Sequence, residues 1–186
     1  MIGSQLIYIF GLAGLTIWLM VSLIKKAGLG KAVFFSCCII YLSFVISVTL
    51  FPMPLNGSMM DVPHNLIPFR TIISSLSNGF TPTATVQILG NIVISIPYGV
   101  AIEFIVQRKT TCRRLFFAVV FPLTVECAQY CCGLVIGVTY RSFDIDDFFL
   151  NIIGVLLGYC LFCVLPKAIK RYFDFKGIFS NTNDKT

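Results

Sequence analysis

Residues 125–158 read VECAQYCCGLVIGVTYRSFDIDDFFLNIIGVLLG, two hydrophobic runs joined by a short charged connector. A charge at the centre of a bilayer costs roughly 2.5–3.5 kcal/mol on insertion scales, so acids on or beside membrane spans turn toward a protein or water-filled interior and mark a functional site. Glu126, Asp144, Asp146 and Asp147 all fall in this stretch. The search for function starts here.

The rest of the chain agrees with a membrane reading. Of its 186 residues 57% are hydrophobic and 12% charged, and the mean hydropathy is +0.90. A soluble domain carries about twice that share of charge. Apolar segments stand at about 5–24, 32–52, 86–106, 115–133 and 148–165. A helical span takes about 20 residues, so the length allows one bundle. The expected fold is an all-α integral membrane protein, a single domain over 1–186 with about five transmembrane helices. The first segment has neither a basic n-region nor a small-residue cleavage site, and reads as an anchor.

Basic residues orient the bundle. Lys25, Lys26 and Lys31 follow the first segment, and Arg108, Lys109, Arg113 and Arg114 follow the third. The tail over 166–186 carries Lys167, Lys170, Arg171, Lys176 and Lys185. Only Arg70 and Arg141 lie elsewhere. The positive-inside rule then puts the N-terminus outside and the C-terminus in the cytoplasm. The isoelectric point near 9.0 follows from topology, and no nucleic-acid partner is implied. Seven of the eight cysteines fall in apolar runs and read as small hydrophobes; Cys131 and Cys132, near an outer span end, are the two open to oxidation.

This orientation places the acids at the outer leaflet. Glu126 and Gln129 occupy the outer half of span four, one turn apart. Asp144, Asp147, Asn151, Gly154 and Gly158 are spaced to share one face of span five, acidic at its outer end. Gly154-x-x-x-Gly158 is a small-xxx-small pattern that permits close helix approach, and Gly99 on span three is read with it. Asn91, Ser95 and Tyr98 line span three, with a kink expected at Pro97. Arg141 can pair with Glu126 or an aspartate, while His64 and Arg70 approach from the long outer loop. Ser142 or Asp144 caps span five. In that loop, PFRTIISSLSNGF over 68–80 predicts a short amphipathic helix, lying in the interface or re-entering the bundle. Glu103, near the inner end of span three, reads as snorkelling toward Gln107 and Arg108.

Each of these residues also has a structural reading: Asp144 as a cap, Arg141 as a counter-charge, Asn151 as a helix–helix hydrogen bond. As a set they suit recognition. The candidate ligand-binding residues are Asn65, Arg70, Asn91, Glu126, Gln129, Arg141, Asp144, Asp146, Asp147 and Asn151. Glu126, Asp144 and Asp147 are the candidates for acid–base chemistry. No resident cofactor is expected; a Mg²⁺ or Ca²⁺ ion would find its oxygen ligands in Asp144, Asp146 and Asp147.

An ordered series of motifs resembles the VanZ-like family of small bacterial membrane proteins. It comprises Asn65-Leu66-Ile67-Pro68-Phe69, then Gly90-Asn91-Ile92 with Pro97-x-Gly99, then Glu126-x-x-Gln129. It ends with Arg141-x-Phe143-Asp144-x-Asp146-Asp147-x-x-x-Asn151-x-x-Gly154-x-x-x-Gly158. The resemblance runs over about 41–163. It implies a bacterial cell-membrane protein linked to reduced sensitivity to teicoplanin-type lipoglycopeptides. The partners it suggests are membrane lipid and a lipid-linked envelope precursor or the lipoglycopeptide itself. A membrane enzyme acting on a lipid-linked phosphate or glycan is the alternative, and small-solute or proton transport a more distant one. The topology predicts that Cys112 reacts with membrane-impermeant thiol reagents only from the cytoplasmic side; labelling in intact cells would reverse the orientation.

Overall fold

The computed structural model describes residues 3–25, 29–53, 63–77, 79, 81–106, 110–137 and 141–165. The basic tail over 166–186, Gln107, Arg108 and part of the long loop lie outside them. Six helices are seen among the described residues: α1 Gln5–Ile24, α2 Leu29–Leu50, α3 Arg70–Ser77, α4 Pro82–Ile105, α5 Thr111–Ile136 and α6 Ile145–Val164. All but α3 are long and apolar enough to cross a bilayer. The chain is an all-helical, multi-pass membrane protein.

Local chemistry sets the helix ends. Thr81 caps α4 by accepting the Ala84 N–H, with Pro82 in the first turn, where its missing N–H costs nothing. Gly137 ends α5 in the left-handed conformation, φ 77°. Asp144 caps α6 and accepts the Asp146 N–H at 2.8 Å, choosing between the two caps open in the sequence.

The α4–α6 seam is the centre of the bundle. A Cβ placed on Gly154 would stand 2.1 Å from the Ile92 carbonyl oxygen, one on Gly158 2.1 Å from that of Ile96, and one on Gly99 2.1 Å from that of Val155. Backbone thus meets backbone along two turns. This is how helices associate in lipid, where apolar burial supplies no drive and close van der Waals approach must do so. Farther toward the α4 C-terminus, Ile102, Val106, Ala118 and Val155 form a small apolar core.

Prolines inside α4 and α5 remove helix hydrogen bonds, and two tyrosines reach the affected turns. The Tyr41 hydroxyl donates to the Ile94 carbonyl at 2.8 Å, before Pro97, and the Tyr98 hydroxyl to the Phe117 carbonyl at 3.1 Å, before Pro122. Tyr98 also stacks on Phe121, ring centroids 4.2 Å apart. It therefore belongs to a helix crossing in mid-bundle. α1 packs on α2, with Trp18 Nε1 donating to the Ala32 carbonyl.

Glu103 pairs with Arg114 of α5, through Nε and, at 3.4 Å, Nη2. The expected partners Gln107 and Arg108 lie outside the described residues. An acid near the end of one helix is matched by a fork-shaped cation near the start of the next.

The seam predicts a contrast between two glycines of similar appearance. Gly154→Ala pushes a methyl group into a carbonyl oxygen and should cost about 1–3 kcal/mol as overpacking, outweighing the better helix propensity of alanine. A Cβ at Gly90 meets no atom of the described residues within 4 Å, so Gly90→Ala should be neutral or stabilising. Thermal unfolding in detergent, followed by helix signal, measures both.

Candidate functional site

At the end of the bundle where α4 and α6 begin, two carboxylates are fully engaged by the segment leading into α3. Asp146 has no exposed surface. Its Oδ1 accepts the Phe69 N–H, and its Oδ2 accepts those of Thr71 at 2.8 Å and Ile72 at 3.4 Å. The start of a helix leaves N–H groups unpaired and carries a partial positive charge. An acid in the first turn of α6 therefore caps α3. Asp144 accepts Asn65 Nδ2 at 2.8 Å and the Thr71 hydroxyl at 2.9 Å, besides the Asp146 N–H of its own cap.

Asn65 locks the segment in register. Its N–H donates to the Phe143 carbonyl and its carbonyl accepts the Ile145 N–H, both at 2.9 Å, forming a parallel bridge. Its Oδ1 accepts the Ile67 N–H at 3.2 Å, closing a turn. Phe69 then sits at φ 65°, a left-handed conformation that costs a non-glycine residue about 1–2 kcal/mol. The N–H bond to Asp146 and a stack on Phe149, 5.9 Å between centroids, hold it there.

The remaining acids face other helices. Asp147 is held by Gln87 Nε2, 3.1 Å from both carboxylate oxygens, and the Asn91 side chain lies beside it. One turn deeper the Ser95 hydroxyl donates to Asn151 Oδ1 at 2.8 Å. Asn151 is 1% exposed and its Nδ2 has no hydrogen-bond partner among the described residues. Gln87, Asn91 and Ser95 thus form a polar row on α4 against Asp147 and Asn151 on α6. Glu126, on α5, is 1% exposed and accepts the Asp144 backbone N–H at 3.4 Å.

Among the described residues Arg141 pairs with no acid. Its Nη2 donates to the carbonyls of Val48 at 3.1 Å and Phe51 at 3.2 Å, and Gln129 Nε2 donates to that of Thr49 at 3.1 Å. The C-terminus of α2 leaves carbonyls unpaired at the negative end of its dipole, and a cation there satisfies both needs. His64 Nδ1 accepts the Phe143 N–H at 2.9 Å. The Arg70 side chain is exposed on α3, with no acid paired to it among the described residues.

Asp144, Asp146 and Asp147 do not converge on one point. Successive residues in a helix are rotated by about 100°, so the run fans out toward Asn65 and Thr71, the start of α3, and α4. Among the described residues, no three His, Cys, Asp or Glu side chains are placed to hold one ion. All eight cysteines are free thiols.

Two further positions join this cluster. Thr71 joins both acids, its N–H on Asp146 and its hydroxyl on Asp144; nothing in the sequence ties it to residues more than 70 positions away. Gln87 was findable: it lies four residues before Asn91 and eight before Ser95, which extends the polar row by one turn.

These features define a polytopic helical membrane protein with a carboxylate-braced polar end. Residues 34–166 match the family model VanZ/LLP1. The chain belongs to the VanZ-like family, and α1 lies ahead of the matched region. No curated protein and no solved structure matches it.

Asp146→Asn tests the clasp. The amide replaces an accepting oxygen with donors that face the N–H groups of α3, and loss of a hydrogen bond to a buried charge costs about 1.5–3 kcal/mol. Hydrogen exchange should accelerate over residues 65–77 by one to two powers of ten, about what that energy allows, while α4 and the body of α6 stay protected. Unchanged exchange over 65–77 would show that the clasp holds without this charge.

Proposed function

We propose that this protein protects the bacterial envelope at the outer leaflet, handling a lipid-tailed glycopeptide of the teicoplanin type or the lipid-linked envelope component it targets. The family is generally linked to glycopeptide resistance. With the basic segments in the cytoplasm, the carboxylate-braced end faces the leaflet where lipid-tailed antibiotics anchor. The observation that carries this reading is the employment of Asp144 and Asp146. Their oxygens are taken by donors from residues 65–72. The two acids build a platform and leave recognition to the neighbouring polar seam of Glu126, Asp147, Asn91 and Asn151.

Asn151 Nδ2 supports a ligand-facing role for that seam. A buried donor without an acceptor costs about 1–3 kcal/mol, and a hydroxyl, carbonyl or phosphate oxygen would remove the deficit. Glycopeptides and lipid-linked glycan precursors are rich in such oxygens.

Expression in a teicoplanin-sensitive host tests the reading. The intact protein should raise the inhibitory concentration of teicoplanin several-fold and leave that of vancomycin, which has no lipid tail, less affected. Glu126→Gln and Asn151→Ala should abolish the effect at unchanged membrane abundance, whereas Gly154→Leu should lower abundance itself. If the two polar variants protect as well as the parent does, the seam is not the working site. If the parent gives no protection, the resistance reading fails.

A further inference from the structure

α3 is turned inside out for a helix in water. Thr71, Ile72 and Ser75 face the bundle, and Ser75 is buried. Ile73 and Leu76 point outward, 58% and 61% exposed. The lead-in adds Leu66, Ile67 and Phe69, at 69%, 59% and 55%. In water the apolar stripe of such a helix would seek the core. Here Thr71 and Ser75 turn to the bundle, Thr71 bonding both acids, while Ile73 and Leu76 look out.

The exposed side is itself divided. At 100° per residue, Leu76 and Ile73 form one stripe while Ser77, Arg70 and Ser74 form the next. The hydroxyls of Ser74 and Ser77 donate to carbonyls of their own helix, those of Thr71 and Ile73. Arg70 is left as the unspent cationic donor of that stripe among the described residues. The level of the helix is fixed at both ends. Its first turn is capped by Asp146 of the first turn of α6, and α4 begins five residues after its last one. α3 therefore lies where two membrane spans start.

We propose that residues 66–77 form a lipid-docking element in the headgroup layer. Leu66, Ile67, Phe69, Ile73 and Leu76 enter the acyl boundary, and Arg70 pairs with the phosphate of an anionic phospholipid. The outward apolar face fits the partner because the five spanning helices also turn large apolar side chains outward. The guanidinium fits because its fork matches a phosphate bidentately, and a basic residue close to an anionic leaflet gains about a fivefold local preference for it. Which leaflet is involved does not enter the geometry, so the inference stands apart from the resistance reading.

The test uses the full chain in vesicles of phosphatidylglycerol and phosphatidylcholine mixed equally, with either lipid brominated. Trp18 is the one tryptophan; Trp18→Phe removes it, and Ile73→Trp or Leu66→Trp reports from the docking face. Emission should be blue-shifted, resistant to aqueous acrylamide and quenched most by bromines close to the headgroup. Brominated phosphatidylglycerol should quench more than brominated phosphatidylcholine, and Arg70→Gln, an exposed change that leaves the clasp intact, should equalise the two. Water-like emission with free acrylamide quenching, or quenching by deep bromines alone, would overturn the placement. Equal quenching by the two lipids with Arg70 present would overturn the phosphate pairing. No antibiotic is involved, so docking without resistance, or resistance without docking, separates the two conclusions.

Discussion

A carboxylate with no exposed surface and a helix start with unpaired N–H groups each present a problem that the other solves. Asp146 and the first turn of α3 are brought together on that basis. Removing the carboxylate would leave these donors without their acceptors, and removing α3 would leave a buried anion without donors. Asp144 repeats the arrangement one step earlier, capping its own helix while gripping Asn65 and Thr71. The spacing Asp144-Ile145-Asp146 lets one helix terminus hold itself and a second helix. The left-handed Phe69 and the bridge at Asn65 persist because this clasp fixes their surroundings.

The direction in which α3 faces follows from the solvent it meets. Thr71 gives its hydroxyl to Asp144 and Ser75 gives its own to the helix backbone, so turning these two inward is favourable when the outside is apolar. The same sequence beside a soluble core would present Ile73 and Leu76 to that core. Composition gives an amphipathic helix; the proposed docking to lipid accounts for its rotation.

The spans were legible because long apolar segments have few alternatives: all five recur as helices, with ends shifted by a few residues where Thr81 and Gly137 set the stops. The shared face of Asn151, Gly154 and Gly158 follows from helical period alone. The pairing of the charges was not legible in the same way. Arg141 stands three residues before Asp144 and invites an ion pair, yet the unpaired carbonyls at the end of α2 claim it, and no local pattern announces a helix end more than 90 residues away. Asp146 and Asp147 look alike in sequence, and only the placement of α3 and α4 separates an N–H clasp from an amide-held acid.

The α4–α6 seam joins these roles. At Gly154 the helices touch through backbone, and there the polar bridge is between short side chains, Ser95 and Asn151. Toward the end of the bundle Gln87 bridges to Asp147, 3.1 Å from both its oxygens. Glycine packing therefore sets how far apart the polar partners stand, and a substitution that separates the helices by even a methyl group acts on every polar contact above it. That is why the same helix face carries small residues below and acids above: the first fix the distance at which the second can be satisfied.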